Sequence, residues 1–495
     1  MILIARPLLS SPQAPDILRL WVGVFGVANP APPAFASGSK PDALKTLGPG
    51  PFGQWFAIRD GVTNGSGQAL NHQGIFKLPR IGPGESHVIR ITTGALSKDF
   101  TFISQPDQVP LSTPLNLLLG SCYYQPNDDG GLLTSRVRRL PTQYRPHLSL
   151  LAGDQVYLDV PVVGSWRLTL DAIRQMIGDK YFTNWCSDHL HVSGLQTLLQ
   201  TAPTACIPDD HEFWNNYPLF QAQVIPQLWI NNGQWSATAM ALYEDYQLGD
   251  QHPQILDMDS FQRIEIDPLS ILMLDTRSRR DDKFDQLMPP AAEAELARWG
   301  EDLIKAKQNN TPKVGVLSAG QPLFTDPPGV IGRRFIDGDL ANYRQFEKIE
   351  AQLVNLASHG IPVVFLTGDV HWSRVCVARY GTFPTPMLFE VICSPSTLIP
   401  RDSLRDIAWD TLRGEAWPGY PDPLEPLPKF GRNNSFKISK SEDDGYFSCK
   451  GNQISVLQFK RAGGGLDMTV NFFDVSDEPR LQKTKSTQPY KLRFY

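Results

Sequence analysis

Apolar and polar positions are arranged in two different ways along this chain. Up to about residue 110 the apolar stretches are short, rich in β-branched and aromatic residues, and interrupted by Gly and Pro: ILRLWVGVFGV (17 to 27), QWFAIRD (54 to 60), GIFKLPRI (74 to 81), HVIRITT (87 to 93) and FTFIS (100 to 104). Residues of this kind suit a pleated surface, and turn signals such as NGSG and PGE fall between them, so the pattern predicts a β-sandwich without helices. Pro106 and Pro110 predict a linker where the pattern changes.

From about 115 the chain repeats a different unit, an apolar run of strand length that stops abruptly at polar or small residues. It occurs as LNLLLGSC (115 to 122), HLSLLAGD (147 to 154), ACIPDDHE (205 to 212), LSILMLDTR (269 to 277), VGVLSAGQ (314 to 321), VVFLTGDVH (363 to 371) and LFEVICSP (388 to 395). Helical periodicity appears between some of these runs: Leu296, Trp299 and Leu303 share a face in 291 to 306, and Phe346, Ile349, Leu353 and Leu356 share one in 343 to 358. Buried strands alternating with amphipathic helices predict an α/β domain whose chemistry gathers beyond the carboxyl ends of its strands. Strand-like runs return between 430 and 495 and are expected to complete a sheet of the same domain. The expected division is a β-sandwich domain over 1–110 and a catalytic domain over 111–495.

Length and charge narrow the function. With 495 residues and 41% hydrophobic content, the chain can bury the cores of one large or two ordinary domains. A net charge of −5 without Lys/Arg blocks gives no footprint for a nucleic-acid groove or an anionic membrane, while a small anionic ligand needs only local charge. No apolar run approaches the roughly 20 residues that span a bilayer. The amino-terminal segment has no basic n-region and no twin arginine, which points to the cytoplasm. Six cysteines without a C-x-x-C pair argue against a zinc ribbon or a thioredoxin motif.

The chemistry-bearing residues sit at the strand ends. In Gly153-Asp154-Gln155-Val156-Tyr157, one helical turn would put a carboxylate and a phenol on one face. In Gly368-Asp369-Val370-His371, extended chain would turn Asp369 and His371 to the same side, offering oxygen and imidazole to a first-row metal. Asp209-Asp210-His211-Glu212 gathers four ionisable groups after an apolar strand, which is costly without a cation or ion pairs. Asn215 and Asn216 follow and could add a ligand oxygen. Cys122 closes the first strand, where its thiolate would need a metal or positive neighbours. Arg277, Arg279 and Arg280 follow another strand end and could clamp phosphate oxygens. Taken singly, each motif has a plain structural explanation, whether a capping Asp, a packed Tyr, a solvated acidic loop or a buried thiol. Five strand ends carrying complementary metal-site chemistry are hard to obtain from unrelated caps and turns. Gly48-Pro49-Gly50-Pro51-Phe52-Gly53 matches G-x-G-x-x-G, but it follows no strand and its prolines are poorly suited to opening a helix over a pyrophosphate. No G-x-S-x-G elbow and no Walker A motif occurs.

The ordered set GSC, GDQVY, DDHEFWNN, LDTR, GDVHWS, spanning about 115 to 395, resembles the PhoD-like alkaline phosphatase and phosphodiesterase family within the calcineurin-like metallophosphoesterases. The β-rich segment before it also looks like that family's amino-terminal domain. The resemblance implies a four-layer αββα sandwich carrying an N-terminal all-β sandwich domain, with Fe3+ and Ca2+ as the usual metals and other divalent ions as alternatives. It implies that Cys122, Asp154, Tyr157 and His371 hold the iron, and that Asp154 bridges to a second metal also held by Asp369, Asp210 and, less securely matched, Asn216. It implies His211 as the catalytic histidine and general acid, Arg277 as a substrate contact, and a metal-bound hydroxide as attacker of phosphorus. The expected substrate is a small phosphate mono- or diester. A nuclease-type phosphodiesterase and a non-catalytic phosphate-ester binding protein are the alternatives. Residues 158 to 203 are expected to wall the site.

Overall fold

A computed structural model describes residues 1–48, 52–160, 169–219, 228–248, 260–324, 340–398, 436–439, 443, 445–449, 451–475 and 484–495. Positions 49–51 of the glycine-rich segment and 161–168 of the expected wall lie outside them.

Two sheets face each other at the centre. In the first, Leu115–Gly120, Leu148–Ala152 and Thr204–Ile207 are parallel neighbours, and Gln453–Ala462 and Gly465–Asp474 extend it antiparallel on one side. In the second, Leu269–Leu274, Val314–Ser318, Val363–Thr367 and Leu388–Ile392 are parallel, flanked by antiparallel Phe261–Ile266 and Ser373–Tyr380. The seven predicted runs are thus parallel strands of these two sheets, three in the first and four in the second.

Because successive side chains in a strand point to opposite faces, each strand feeds two cores. Leu115, Leu117 and Leu119 meet Ile271, Met273, Val364 and Val391 between the sheets, while Leu118 turns outward. Leu272 and Leu274 turn the other way, onto Leu296, Trp299 and Leu303 of the helix Pro290–Gln308 and Ile349 and Leu353 of the helix Phe346–Ser358. The helix Leu170–Trp185 covers the first sheet with Ile173, Ile177 and Tyr181. The result is the expected αββα order of layers.

The amino-terminal segment makes the expected sandwich, but one of its two sheets is continuous with the first central sheet. Ser86–Thr93 and its neighbours Ala34–Gly38 and Leu96–Ile103 form a sheet that packs Ile89, Ile91, Phe100 and Phe102 against Leu20, Val22, Val24 and Phe76 of the facing strands. Those facing strands do not form a separate sheet. Ile2–Leu8 pairs in parallel with Thr204–Ile207 through Leu8 and Thr204, so Ile2–Leu8, Ile17–Phe25 and Asn71–Pro79 continue the first central sheet. Trp21 and Phe25, on the outer face, join Tyr181, Trp185 and Trp235 in the helical layer. Hydrogen bonding and apolar packing both run across position 110. The strand Ile2–Leu8 was not expected; its ILIARPL carries the β-branched signal, but a seven-residue run at a chain start reads equally well as an unstructured end. Among the described residues, no helix is long and apolar enough to cross a membrane.

Candidate metal centre

Seven parallel strands end on one side of the facing sheets, and the loops leaving them converge. The approach is tight enough to dictate residue type. A Cβ on Gly368 would lie 2.2 Å from Ser121 Oγ and 2.7 Å from the Ala152 carbonyl, and one on Gly153 would lie 2.6 Å from Asp209 Cβ. The two glycines that precede Asp154 and Asp369 are therefore where one loop passes another.

At this convergence an atom from each of Cys122, Asp154 and His371 lies within 4.8 Å of the others, as do atoms of Asp154, Asp209, Asp210 and Asp369. Asp154 belongs to both groups. Its Oδ2 lies 3.4 Å from Cys122 Sγ and 3.4 Å from Tyr157 Oη. Cys122, Asp154, Tyr157, Asp210, His211, Asn216, Asp369 and His371 are all buried.

The backbone that achieves this differs from the expected one. Asp154 has φ of 57° in a loop, so Tyr157 returns to it through that loop and not through a helical turn. Asp369 and His371 have φ of 67° and 57°, so they converge through two left-handed residues and not through extended chain. Cys122 (51°) and Asn216 (64°) share this region. A non-glycine residue there costs roughly 1–2 kcal/mol, which surrounding structure must offset.

Hydrogen bonds fix the donors. Ser394 Oγ accepts from the His371 amide at 3.0 Å and donates to Cys122 Sγ at 3.2 Å. Gln321 Nε2 donates to Asp369 Oδ2 at 3.1 Å, and Arg280 Nη2 donates to Gln321 Oε1 at 2.8 Å. The Asn216 amide donates to Asp210 Oδ2 at 2.5 Å. Glu212 accepts from the amides of Asp154, Gln155, Val156 and Asp209 at 2.6–3.2 Å, closing the loop after Ala152 onto the one after Ile207.

The donors suit a cation. Burial, then the charges of Asp154 and Asp369, push the Cys122 thiol well up; burial, then Cys122 and Asp154, do the same to Tyr157. Burial and Asp210 raise Asp154, whereas for Asp210 burial is outweighed by His211 and Arg277, which hold its carboxyl below the usual range. Acids whose ionisation is held back by burial and by neighbouring anions are the arrangement a metal ion reverses, because its charge favours every anion at once. Asp210 Oδ1 and Asn216 Oδ1 are buried and accept no hydrogen bond among the described residues. Such atoms are costly unless something coordinates them.

Two residues stand in roles the sequence did not suggest. Asp159 Oδ1 lies 2.7 Å from His211 Nδ1, its Oδ2 accepts from the Asn215 amide, and the His211 ring stacks on Tyr157 at 4.1 Å. Burial disfavours the imidazolium, but Asp159 and Asp210 outweigh it and raise His211 well above its ordinary value. The only sequence signal for Asp159 is an acid five positions after Asp154. Arg277, expected as a substrate clamp, is wholly buried, donating from Nε to the Asp209 carboxylate and from Nη1 to the Tyr217 carbonyl at 3.0 Å. Its side chain is packed into the loop framework, and Asp209 is thereby engaged in an ion pair. Arg280 is likewise buried, its guanidinium 4.6 Å from the Tyr343 ring centroid. Arg279 is the partly exposed one of the three.

The same arrangement of layers occurs in solved structures. PhoD superposes with a TM-score of 0.54 at 15% identity, covering 99% of this chain and 92% of its own. A purple acid phosphatase from yellow lupin (Lupinus luteus) seeds superposes with a TM-score of 0.52 at 12% identity, covering 99% of this chain and 75% of its own. No family model matches the sequence, and no curated protein matches it. The resemblance read from the ordered motifs is thus met at the level of the fold: the chain has the architecture of PhoD and of the purple acid phosphatase.

Proposed function

We propose that this chain is a metal-dependent phosphoesterase hydrolysing small phosphate mono- or diesters at a two-metal centre. The observation that carries this reading is the sharing of Asp154 between two donor groups, one with sulfur, phenol and imidazole, the other with oxygens alone. Cys122, Asp154, Tyr157 and His371 would hold the first metal, where thiolate and phenolate suit ferric iron. Asp154, Asp210, Asp369 and the Asn216 side-chain oxygen would hold the second, where hard oxygens suit calcium or another divalent ion. Bound there, the metals would supply a Lewis acid for the phosphoryl oxygens and a water acidic enough to attack phosphorus.

The remaining steps belong to the chain. His211 follows Asp210 directly, and Asp159 engages Nδ1, so Nε2 is the nitrogen left to carry a proton to the leaving oxygen. Asp159 keeps the ring charged and oriented until that proton moves. Glu212 holds the backbone amides around Asp154, and Gln321 fixes the Asp369 carboxylate. Arg277 acts as a positioning residue through Asp209 and Tyr217.

Chelation should abolish hydrolysis of nitrophenyl phosphate and bis(nitrophenyl) phosphate, and added metal should restore it. Asp154→Ala should lose metal from both positions by elemental analysis, since one carboxylate serves two ions. Full activity in protein shown to be metal-free would end this reading.

A further inference from the structure

A π-helical turn over Glu244–Leu248 lies beside the metal loops, and three side chains of the amino-terminal sandwich grip it. Arg6 Nη2 donates to the carbonyls of Tyr246 and Gln247 at 2.8 and 2.5 Å. The indole nitrogen of Trp21 donates to the Asp245 carbonyl at 2.8 Å. Arg59 forks onto the Asp245 carboxylate at 2.7–3.2 Å and reaches Glu244 at 2.9 Å. A π-turn is a rare backbone form, frequent at functional sites, and here outside contacts hold it.

The turn delivers one side chain to the site. Gln247 Nε2 donates to Glu212 Oε1 at 3.1 Å, on the oxygen that receives the amides of Gln155 and Val156. Gln247 is buried, and an α-helical continuation of the preceding helix would rotate it away from Glu212. We infer that the amino-terminal sandwich sets the geometry of the metal loops through this turn, with Gln247 the positioning residue that transmits it to Glu212. The sandwich is then a working part of the centre, and Arg6, Trp21 and Arg59 affect the site without touching it. The link to metal affinity rests on the proposed metal centre; the mechanical link does not.

The experiment separates the two. In metal-free full-length protein, amide hydrogen exchange is followed at Asp154, Gln155 and Val156 in the wild type, Arg59→Met, Gln247→Met and the double variant. Arg90→Met, which breaks an exposed pair with Asp99 in the same sandwich, serves as the control. Losing a hydrogen bond to a charged group should speed exchange at those amides about tenfold or more. Leu148–Ala152 should keep its protection and Arg90→Met should change nothing. The double variant should be no faster than the faster single one. Unchanged exchange in either single variant, or multiplied effects in the double, would overturn the inference. If Arg59→Met does not fold, Arg59→Lys, which keeps the charge and loses the fork, should give an intermediate rate, and a wild-type rate would count against the relay. Manganese(II) titration followed by electron paramagnetic resonance then reads affinity, which should fall in both single variants. A wild type that binds no manganese, with exchange altered as expected, would count against the metal centre and leave the relay standing.

Discussion

Five of the eight residues brought together at the site, Cys122, Asp154, Asn216, Asp369 and His371, have left-handed backbone, as do only four other non-glycine residues among those described. Strain of this kind persists where other contacts over-determine it, and here it re-aims each side chain just past its strand. His211 relies instead on its partner. His211→Ala should keep its metals and lose about 10² to 10⁴-fold on esters with alkoxide leaving groups, but much less on nitrophenyl esters, whose leaving groups need no proton. An unchanged slope of log rate against leaving-group pKa would remove His211 from that role. Asp159→Asn should shift the slope in the same direction, since it withdraws the charge that sustains the imidazolium. Away from the site, burial pushes Asp60 up to about 6, against the hydrogen bonds from Asn71 and the Val62 amide. A carboxyl raised from its ordinary 3.8 binds more protons folded than unfolded between those values. Its stabilising contribution is therefore complete below pH 4 and lost as pH rises through 6. Unfolding free energies of wild type and Asp60→Asn from pH 4 to 7 should diverge by about 2 to 3 kcal/mol in the variant's favour, whatever their offset at pH 4.

Strand ends and the loops beyond them are the elements that make the site. Each apolar run ends where its partner strands also end, so the polar residues after Gly120, Ala152, Ile207 and Thr367 meet without long connections. Gly368 lets the two sheets approach at this point. Gly368→Ala would drive a methyl into Ser121 from the opposite sheet, and overpacking of this kind costs about 1 to 3 kcal/mol. Urea denaturation should register that loss, and manganese(II) should bind more weakly because Ser121 and Asp369 move apart. A variant as stable as the wild type would mean that the loops give way freely. The G-D pairs identify strand ends in the sequence, but what each glycine faces comes from a distant part of the chain, Asp209 for Gly153 and Ser121 for Gly368.

Across the whole molecule, one sheet joins the amino-terminal sandwich to the αββα layers, and Trp21 stands on the shared face with Tyr181, Trp185 and Trp235. Trp21→Ala should cost about 3–5 kcal/mol. If the molecule unfolds as a unit, calorimetry will show one transition moving to lower temperature. Two transitions, with only one displaced, would mean that the sandwich melts on its own. The expected boundary near 110 came from composition, and composition sees the change from antiparallel sandwich to α/β syntax while the pairing of Leu8 with Thr204 leaves no local trace.

The facing-sheet architecture was implied by the family resemblance, whereas the apolar pattern of the sequence by itself determined the seven buried strands, the two amphipathic helices Pro290–Gln308 and Phe346–Ser358, and the strand ends at which Cys122, Asp154, Asp210, Asp369 and His371 occur. These follow from hydrophobic period and abrupt polar stops, which are properties of neighbouring residues. Tertiary structure alone decided the left-handed turns, the pairing of His211 with Asp159, the burial of Arg277 against Asp209 and the grip of Arg6, Trp21 and Arg59 on the π-turn. Each of those depends on which distant groups are close enough to exchange a hydrogen bond or a charge, and that distance is fixed only when the sheets pack.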